Sequence, residues 1–271
     1  MTICIAGISE QNKIIAITDK MYTVGSQPVT KYEINENNKA ICLHEKTIGL
    51  FSGDVLRANE ILDRSKALIK LLQNPTVKDI AEAVNTAYKT YWKEILDNFL
   101  TMRYGFDLAV FMANNQTLNQ NLVNEITKVI MQFAIDVEII IAGIDTVPHL
   151  FMVDYNGTVA NFDSVGYASI GSGAKHAQLS LIENEYNSSI DFENGFYSLL
   201  SAKKRAEYDP GVGTLCDIIV IDNQFKRYTD AEITKVMTVF NKSVSEIKQA
   251  KSNFAKGIEE LNKNESSSKK R

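Results

Sequence analysis

Thr2, Asp19, Lys39 and the run Ser52-Gly53-Asp54 are the residues near the start of this chain whose types could do chemistry together. A threonine directly behind the initiator methionine becomes the N-terminal residue if an aminopeptidase removes Met1, which a small second side chain permits. The freed α-amine titrates at roughly pH 8, so at neutral pH part of it can act as general base for the threonine's own hydroxyl. Without that base the hydroxyl is a weak nucleophile, and a threonine that merely begins a strand is common. The neighbours bear on the choice. Asp19 ends the segment KIIAITD, and a hairpin would return it beside the start of the chain, where a carboxylate can orient a lysine. Lys39, which begins KAICL, would bring a cation that favours the deprotonated amine and hydroxyl. Gly53 falls where a strand gives way to a helix, and backbone N–H groups at such a junction can hold an oxyanion. Taken alone, it is equally an ordinary turn.

The elements that must position these residues follow from periodicity. TICIAGI and KIIAITD flank the polar SEQN and read as a hairpin, and KAICL and TIGLF around HEK as a second strand pair. Beyond Gly53 the period changes: Leu56, Ile61, Leu62, Leu68, Ile69 and Leu72 recur at three-and-four spacing, predicting an amphipathic helix that Asn74-Pro75 stops. Thr76 caps a second helix, with Asp79 in its first turn and Ile80, Val84, Ala87, Tyr91 and Ile95 along one stripe. A further helix is expected over 116–134. The strands VEIIIAGID, HLFMVDY and TVANFD come next, the last two joined by an Asn156-Gly157 turn. Helices over about 173–187 and 191–206 precede a final strand, CDIIVID. Runs of strands alternating with runs of helices predict an α+β fold of antiparallel sheets with helices on their outer faces.

Residues 230–264 stand apart. Ile233, Met237, Phe240, Val244, Ile247, Phe254, Ile258 and Leu261 follow a four-three spacing broken by Lys251, a heptad seam on a helix that lies on the globular body or pairs with a partner chain. The tail at 265–271, ESSSKKR, is expected to be disordered.

Composition narrows the function classes. At 271 residues and a net charge of −4, the chain can bury a large core and lacks the basic stripe of a nucleic-acid binder. Its apolar runs are interrupted well short of the roughly 20 residues a spanning helix needs, and the N-terminus does not read as a secretory signal. Cys4, Cys42 and Cys216 lie in apolar segments as small buried hydrophobes; their odd number and wide spacing fit a reducing, cytoplasmic setting. No metal site and no cofactor are expected: there is no CxxC, and His44, His149 and His176 lie far apart as surface or loop residues. The stretch from Gly166 to Gly173 has phosphate-loop spacing, but Ser172-Gly173 stand where the phosphate-binding lysine and hydroxyl should be.

Thr2 at the chain start, Asp19 after the second strand, Lys39 opening the third and FSGD ending the fourth resemble the catalytic layout of proteasome β-subunits. The stretch AGIDTVPHLFMVDYNGTVANFDSVGYASIGSGAKHAQLSLIE resembles that family further, through its Gly-x-Asp, its apolar strand ending in Val-Asp and its Gly-Ser-Gly turn. The resemblance covers residues 2–222 in order, with residues 100–136 as additional helical material and the C-terminal helix outside it. It implies a four-layer αββα sandwich of two antiparallel sheets within residues 1–229, of the N-terminal nucleophile (Ntn) hydrolase type, and peptide-bond hydrolysis as in the simpler bacterial members. It also implies roles. Thr2 would supply hydroxyl and amine, Lys39 would tune them, Asp19 would hold Lys39, and the Gly53 N–H would stabilise the oxyanion. Ser172 would bond the new N-terminus and Asp209 would support Ser172. The second supporting serine of the family falls on Val212. Met21, Tyr22, Phe51 and Val55 are expected around the substrate side chain, and a closed homo-oligomeric ring is the expected assembly. Two other readings stay open: a non-catalytic ring subunit, and an amidase or acylase acting on small molecules.

Overall fold

The computed structural model describes residues 2–10, 12–24, 30–33 and 39–268. The first hairpin forms as expected: β1 (Cys4–Ser9) runs against β2 (Lys13–Asp19) in the register Cys4↔Thr18 to Ser9↔Lys13. β3 (Met21–Val24) and β4 (Thr30–Glu33) pair as a separate ribbon, and β5 (Ala40–His44) pairs with β6 (Thr47–Gly53). Four helices follow: α1 (Val55–Ile69), α2 (Val77–Tyr104), α3 (Leu108–Asn114) and α4 (Gln120–Gln132). Then come β7 (Val137–Ile144), β8 (Pro148–Val153), β9 (Val159–Asn161) and β10 (Tyr167–Ile170). α5 (Ala174–Glu183), α6 (Phe192–Ala206), β11 (Cys216–Ile221) and β12 (Phe225–Arg227) complete the body.

Two antiparallel five-stranded sheets result, in the orders β10-β1-β2-β11-β12 and β5-β6-β7-β8-β9. Their strands read as continuous apolar runs because both faces are covered. In β7, Ile140 and Ala142 meet Cys4, Ala6, Ile14 and Ala16 of the facing sheet, while Val137, Ile139 and Ile141 meet α1 and α2. Each isoleucine so enclosed contributes roughly 1.5–3 kcal/mol relative to exposure. α1 and α2 cover the second sheet and α5 and α6 the first, so the body is an α+β sandwich of four layers, αββα.

Local chemistry sets the helix boundaries. Asp54 caps α1 by accepting from the N–H groups of Leu56 and Arg57, and Thr76 with Asp79 forms a capping box on α2. The buried face of α1 is Ala58, Ile61, Leu62, Ser65 and Ile69; Leu56 is 81 % exposed, so it lies off the stripe that its spacing suggested. Residues 100–136 hold the end of α2, then α3 and α4, around Leu96, Leu100, Phe111 and Ile126. The helix expected over 116–134 is the shorter α4, and α3 and β10 are elements that the periodicity did not reveal. Cys42 is exposed rather than buried, because it lies on the solvent side of an edge strand, whereas Cys4 and Cys216 are buried.

The C-terminal unit, Tyr228–Arg271, contains α7 (Asp230–Ser268). The helix continues past the expected end at 264, and residues 269–271 of the tail lie outside the described residues. Ile247 and Phe254 of the heptad seam are exposed. Among the described residues no helix is long and apolar enough to cross a membrane.

Candidate active site

The β1–β2 register determines where Asp19 goes. With Cys4 opposite Thr18, the Asp19 N–H donates to Ile3 O at 3.1 Å, and the carboxylate stands beside Thr2. Asp19 is 0 % exposed and its two oxygens are crowded with donors. Oδ1 accepts from the Thr2 hydroxyl, from the Ile3 N–H at 3.0 Å and from Lys39 Nζ at 2.6 Å. Oδ2 accepts from the N–H groups of Met21 at 3.3 Å and Gly213 at 3.0 Å. Five donors around one buried carboxylate compensate the loss of water that burial imposes.

Lys39, 3 % exposed, arrives from the residue before β5, where its carbonyl accepts from the Phe51 N–H of β6 at 3.1 Å. Its ammonium donates to Thr2 Oγ1, to Asp19 and to Met21 O at 2.6 Å. The Thr2 hydroxyl therefore sits between a carboxylate that accepts its hydrogen bond and a cation that donates to its oxygen.

A third segment closes on the same residue from the β10–α5 turn. The Thr2 nitrogen, a peptide N–H while Met1 is attached, donates to Ser172 Oγ at 3.3 Å, and Thr2 O accepts from the Gly173 N–H at 3.2 Å. Ser172 Oγ donates in turn to Asp209 Oδ1 at 3.1 Å, and the Gly211 N–H holds that same oxygen at 2.7 Å. Gly171 makes the approach possible. Its φ is +95°, and a Cβ there would fall on Thr2 O and lie 2.7 Å from Thr2 Cγ2.

The structure thus brings Thr2, Asp19, Lys39, Ser172 and Asp209 into one hydrogen-bonded cluster. Gly53 lies at the β6–α1 junction with a φ of +95°, its Cα face against Asp136 O. The Cys4 thiol donates to Phe51 O at 3.2 Å, so the end of β6 is stitched to the start of β1 across the sandwich. Met21 is half-buried and contacts the cluster through its main chain. Phe51, 2 % exposed, is enclosed beneath α1 and α2, and Val55 packs against the same core. The Tyr22 side chain and Met1 lie outside the described residues.

Neither buried cysteine competes for the nucleophile's role. Burial pushes the Cys4 thiol far up, against the opposing pull of Lys39, and burial likewise raises Cys216. His149 takes a structural place: it bonds Asp163 at 2.7 Å and Asp145 at 3.3 Å around the β7–β8 turn. Among the described residues no group of three or more His, Cys, Asp or Glu could hold a metal ion.

Reading the sequence missed Gly213, whose N–H completes Asp19, and Lys203 behind it. A backbone donor leaves no side-chain signal. Lys203 left a faint one, as a lysine on the apolar face of α6 with Leu199 and Ala206.

A turn of Gly-Ser-Gly type that clamps the chain start, inside two stacked antiparallel sheets, is the observation that the comparison with known families meets. Residues 98–221 match the proteasome subunit family. Together with the two five-stranded sheets, the match is consistent with a proteasome β-subunit-like Ntn hydrolase and supports, at the level of the family, a peptidase of the Ntn-hydrolase type. The matched span contains α3 and α4, which resembled additional material, as well as Ser172 and Asp209; Thr2, Asp19, Lys39 and Gly53 precede it. No curated protein matches the chain.

Proposed function

We propose that the chain is a threonine-type Ntn hydrolase of peptide bonds, activated by removal of Met1. One observation carries the reading: the Thr2 hydroxyl is held between Asp19 and Lys39 while its nitrogen bonds Ser172. A strand-starting threonine has no need of a buried cation and carboxylate on its hydroxyl. With Thr2 3 % exposed, access by a substrate carbonyl begins with an opening at this end of the chain, and loss of Met1 frees the base.

In this mechanism the α-amine takes the proton from Oγ1 as Oγ1 attacks the scissile carbonyl carbon. The negative charge passes to the carbonyl oxygen, for which the Gly53 N–H is the assigned donor. As the C–N bond breaks, the ammonium returns its proton to the leaving amine and an ester on Thr2 remains. Water then attacks the ester with the amine as base, and collapse of that adduct releases the acid and restores the hydroxyl. Asp19 keeps the Lys39 ammonium against Oγ1 throughout, while Ser172 and Asp209 orient the amine.

Met21, Tyr22 and Val55 are assigned to the substrate side chain; Phe51, expected there as well, is enclosed in the core beneath α1 and α2 and is withdrawn from that role. A closed homo-oligomer, the form that family members take as rings, would keep folded proteins from the nucleophile, and the cytoplasm is the proposed compartment.

The test is intact-mass analysis of the purified protein, then treatment with a peptide epoxyketone, which needs both the hydroxyl and the amine of an N-terminal threonine. Loss of Met1 and a stoichiometric adduct are expected. Retained Met1 with no adduct would refute the catalytic reading, and hydrolysis surviving in Thr2→Ala would refute the assignment of the nucleophile. Turnover of peptides against small acyl amides separates the peptidase from the amidase, and an inert folded ring is the outcome that a scaffold subunit gives.

A further inference from the structure

Lys203 is 2 % exposed on α6, on the face shared with Leu199, Ala202 and Ala206. A buried ammonium is tolerated only when its charge and its donors are met. Its acceptors are Glu207 Oε1, the Gly213 carbonyl at 2.9 Å and the Thr214 carbonyl at 2.7 Å. All three belong to one short stretch between α6 and β11, and the same stretch reaches the Thr2 cluster from its other side. Its Gly213 N–H donates to Asp19 Oδ2 at 3.0 Å and its Gly211 N–H to Asp209 Oδ1 at 2.7 Å. Gly213 therefore bonds Asp19 through its N–H and Lys203 through its carbonyl. Between the two glycines, Val212 is 5 % exposed and stands where a Cβ on Gly173 would lie 2.7 Å from its Cγ2.

We propose that Lys203 is a positioning residue for this site: its ammonium holds the Gly213 and Thr214 carbonyls so that the Gly213 N–H stays on Asp19. A glycine-rich stretch reading PGVG has little intrinsic preference for one conformation, so an anchor outside it must select one. Two carbonyls drawn to one buried charge do so. The kinetic consequence rests on the hydrolase reading, whereas the geometric one does not.

Lys203→Met and Lys203→Arg test the proposal, each read in two ways. The first readout is the Gly213 amide in a proton–nitrogen spectrum, followed by its hydrogen exchange. The second is the rate at which an N-terminal-threonine-directed epoxyketone modifies Thr2, separated into encounter constant and maximal rate. For Lys203→Met the expectation is at least about tenfold faster exchange at Gly213, a moved amide resonance and a maximal modification rate lower by roughly 10- to 100-fold at unchanged encounter constant. Lys203→Arg, which keeps the charge and can reach both carbonyls, should restore most of each.

A folded Lys203→Met protein with an unaltered Gly213 amide overturns the proposal, as does an altered amide with undiminished modification. Should Lys203→Met fail to fold, the wild-type ammonium decides: slowly exchanging Nζ protons correlated with the Gly213 and Thr214 carbonyls support the anchor, and rapid exchange with water overturns it. An amide response in a wild-type background that forms no epoxyketone adduct supports the anchor and refutes the hydrolase reading.

Discussion

Asp19→Asn separates a desolvated ion pair from a decorative one. The carboxylate is 0 % exposed, Lys39 is 3 % exposed, and their charged atoms lie 2.6 Å apart. An asparagine matches the shape but turns one acceptor oxygen into an NH2 group. If nitrogen takes the Oδ2 place, it faces the N–H groups of Met21 and Gly213, and each buried donor left unpaired costs about 1–3 kcal/mol. If it takes the Oδ1 place, the Thr2 hydroxyl, the Ile3 N–H and Lys39 lose their acceptor instead. Either way Lys39 remains buried without its anion, and breaking such a pair from one side costs about 3–5 kcal/mol. These costs overlap, so the expected loss is about 3–5 kcal/mol, which at about 2–4 °C per kcal/mol lowers the melting temperature by roughly 6–20 °C.

Urea unfolding followed by circular dichroism measures the loss, with an unchanged m value as the sign that both states are otherwise intact. Arg64→Ala is the control. Arg64 bonds Glu60 at 2.8 Å and Glu94 at 2.7 Å, but both carboxylates are about half exposed, so the control costs no more than about 1 kcal/mol. The double variant Asp19→Asn/Lys39→Met should recover part of the loss, because it removes the orphaned charge along with its partner. A cost for Asp19→Asn as small as that of Arg64→Ala, or a double variant less stable by the simple sum of the two singles, would refute the argument.

Gly171→Ala should destabilise the body by about 1–2 kcal/mol for its positive φ alone, and more because the new methyl falls on Thr2 O; movement of the Gly173 amide resonance, whose N–H bonds that oxygen, checks the mechanism. Stability should fall as pH drops below the ordinary carboxylate range. Hydrogen bonds from Thr76 hold Asp79 low, and those from Asn194 hold Asp191 low. At Asp145 burial pulls upward, but the N–H groups of Val77 and Thr146 with His149 outweigh it. Each depressed carboxylate contributes stability that is present above its unfolded value of about 3.9 and lost as pH falls through its lower folded value, so melting temperature against pH should decline there and decline less in Asp145→Asn. Of the three thiols, Cys42 alone should react with a thiol reagent in the folded protein and all three after unfolding.

The parts of the site that were legible in the sequence are those fixed by strand counting. A hairpin of known loop length leaves little freedom in register, so Asp19 had to fall near the chain start once both strands were recognised, and it lies opposite Ile3. The helices α1 and α2 were legible for a similar reason, through apolar spacing and a Thr76 cap. Leu56 and Cys42 misled because hydrophobicity alone does not say which side of an element faces the core. On α1 the face against the sheet is marked by small residues, Ala58 and Ser65, as much as by large ones. β10 was hidden because YASI is too short to show a period, and its pairing with β1 joins residues far apart in the chain.

What stayed illegible is the support carried by the main chain. Asp19 and Gly213 are separated by 194 positions, and the bond between them uses an N–H that every residue but proline possesses. The resemblance places a serine's role at Val212. The geometry redistributes that support: the residues on either side, Gly211 and Gly213, aim their N–H groups at Asp209 and Asp19, while Val212 fills apolar space against Gly173. A side-chain hydroxyl at 212 would have to compete with this packing, at a position 5 % exposed. Two backbone donors held by their loop need no rotamer to be selected, so their orienting effect depends on how firmly the loop itself is anchored. That dependence is why a lysine that touches neither Thr2 nor Asp19 matters to both.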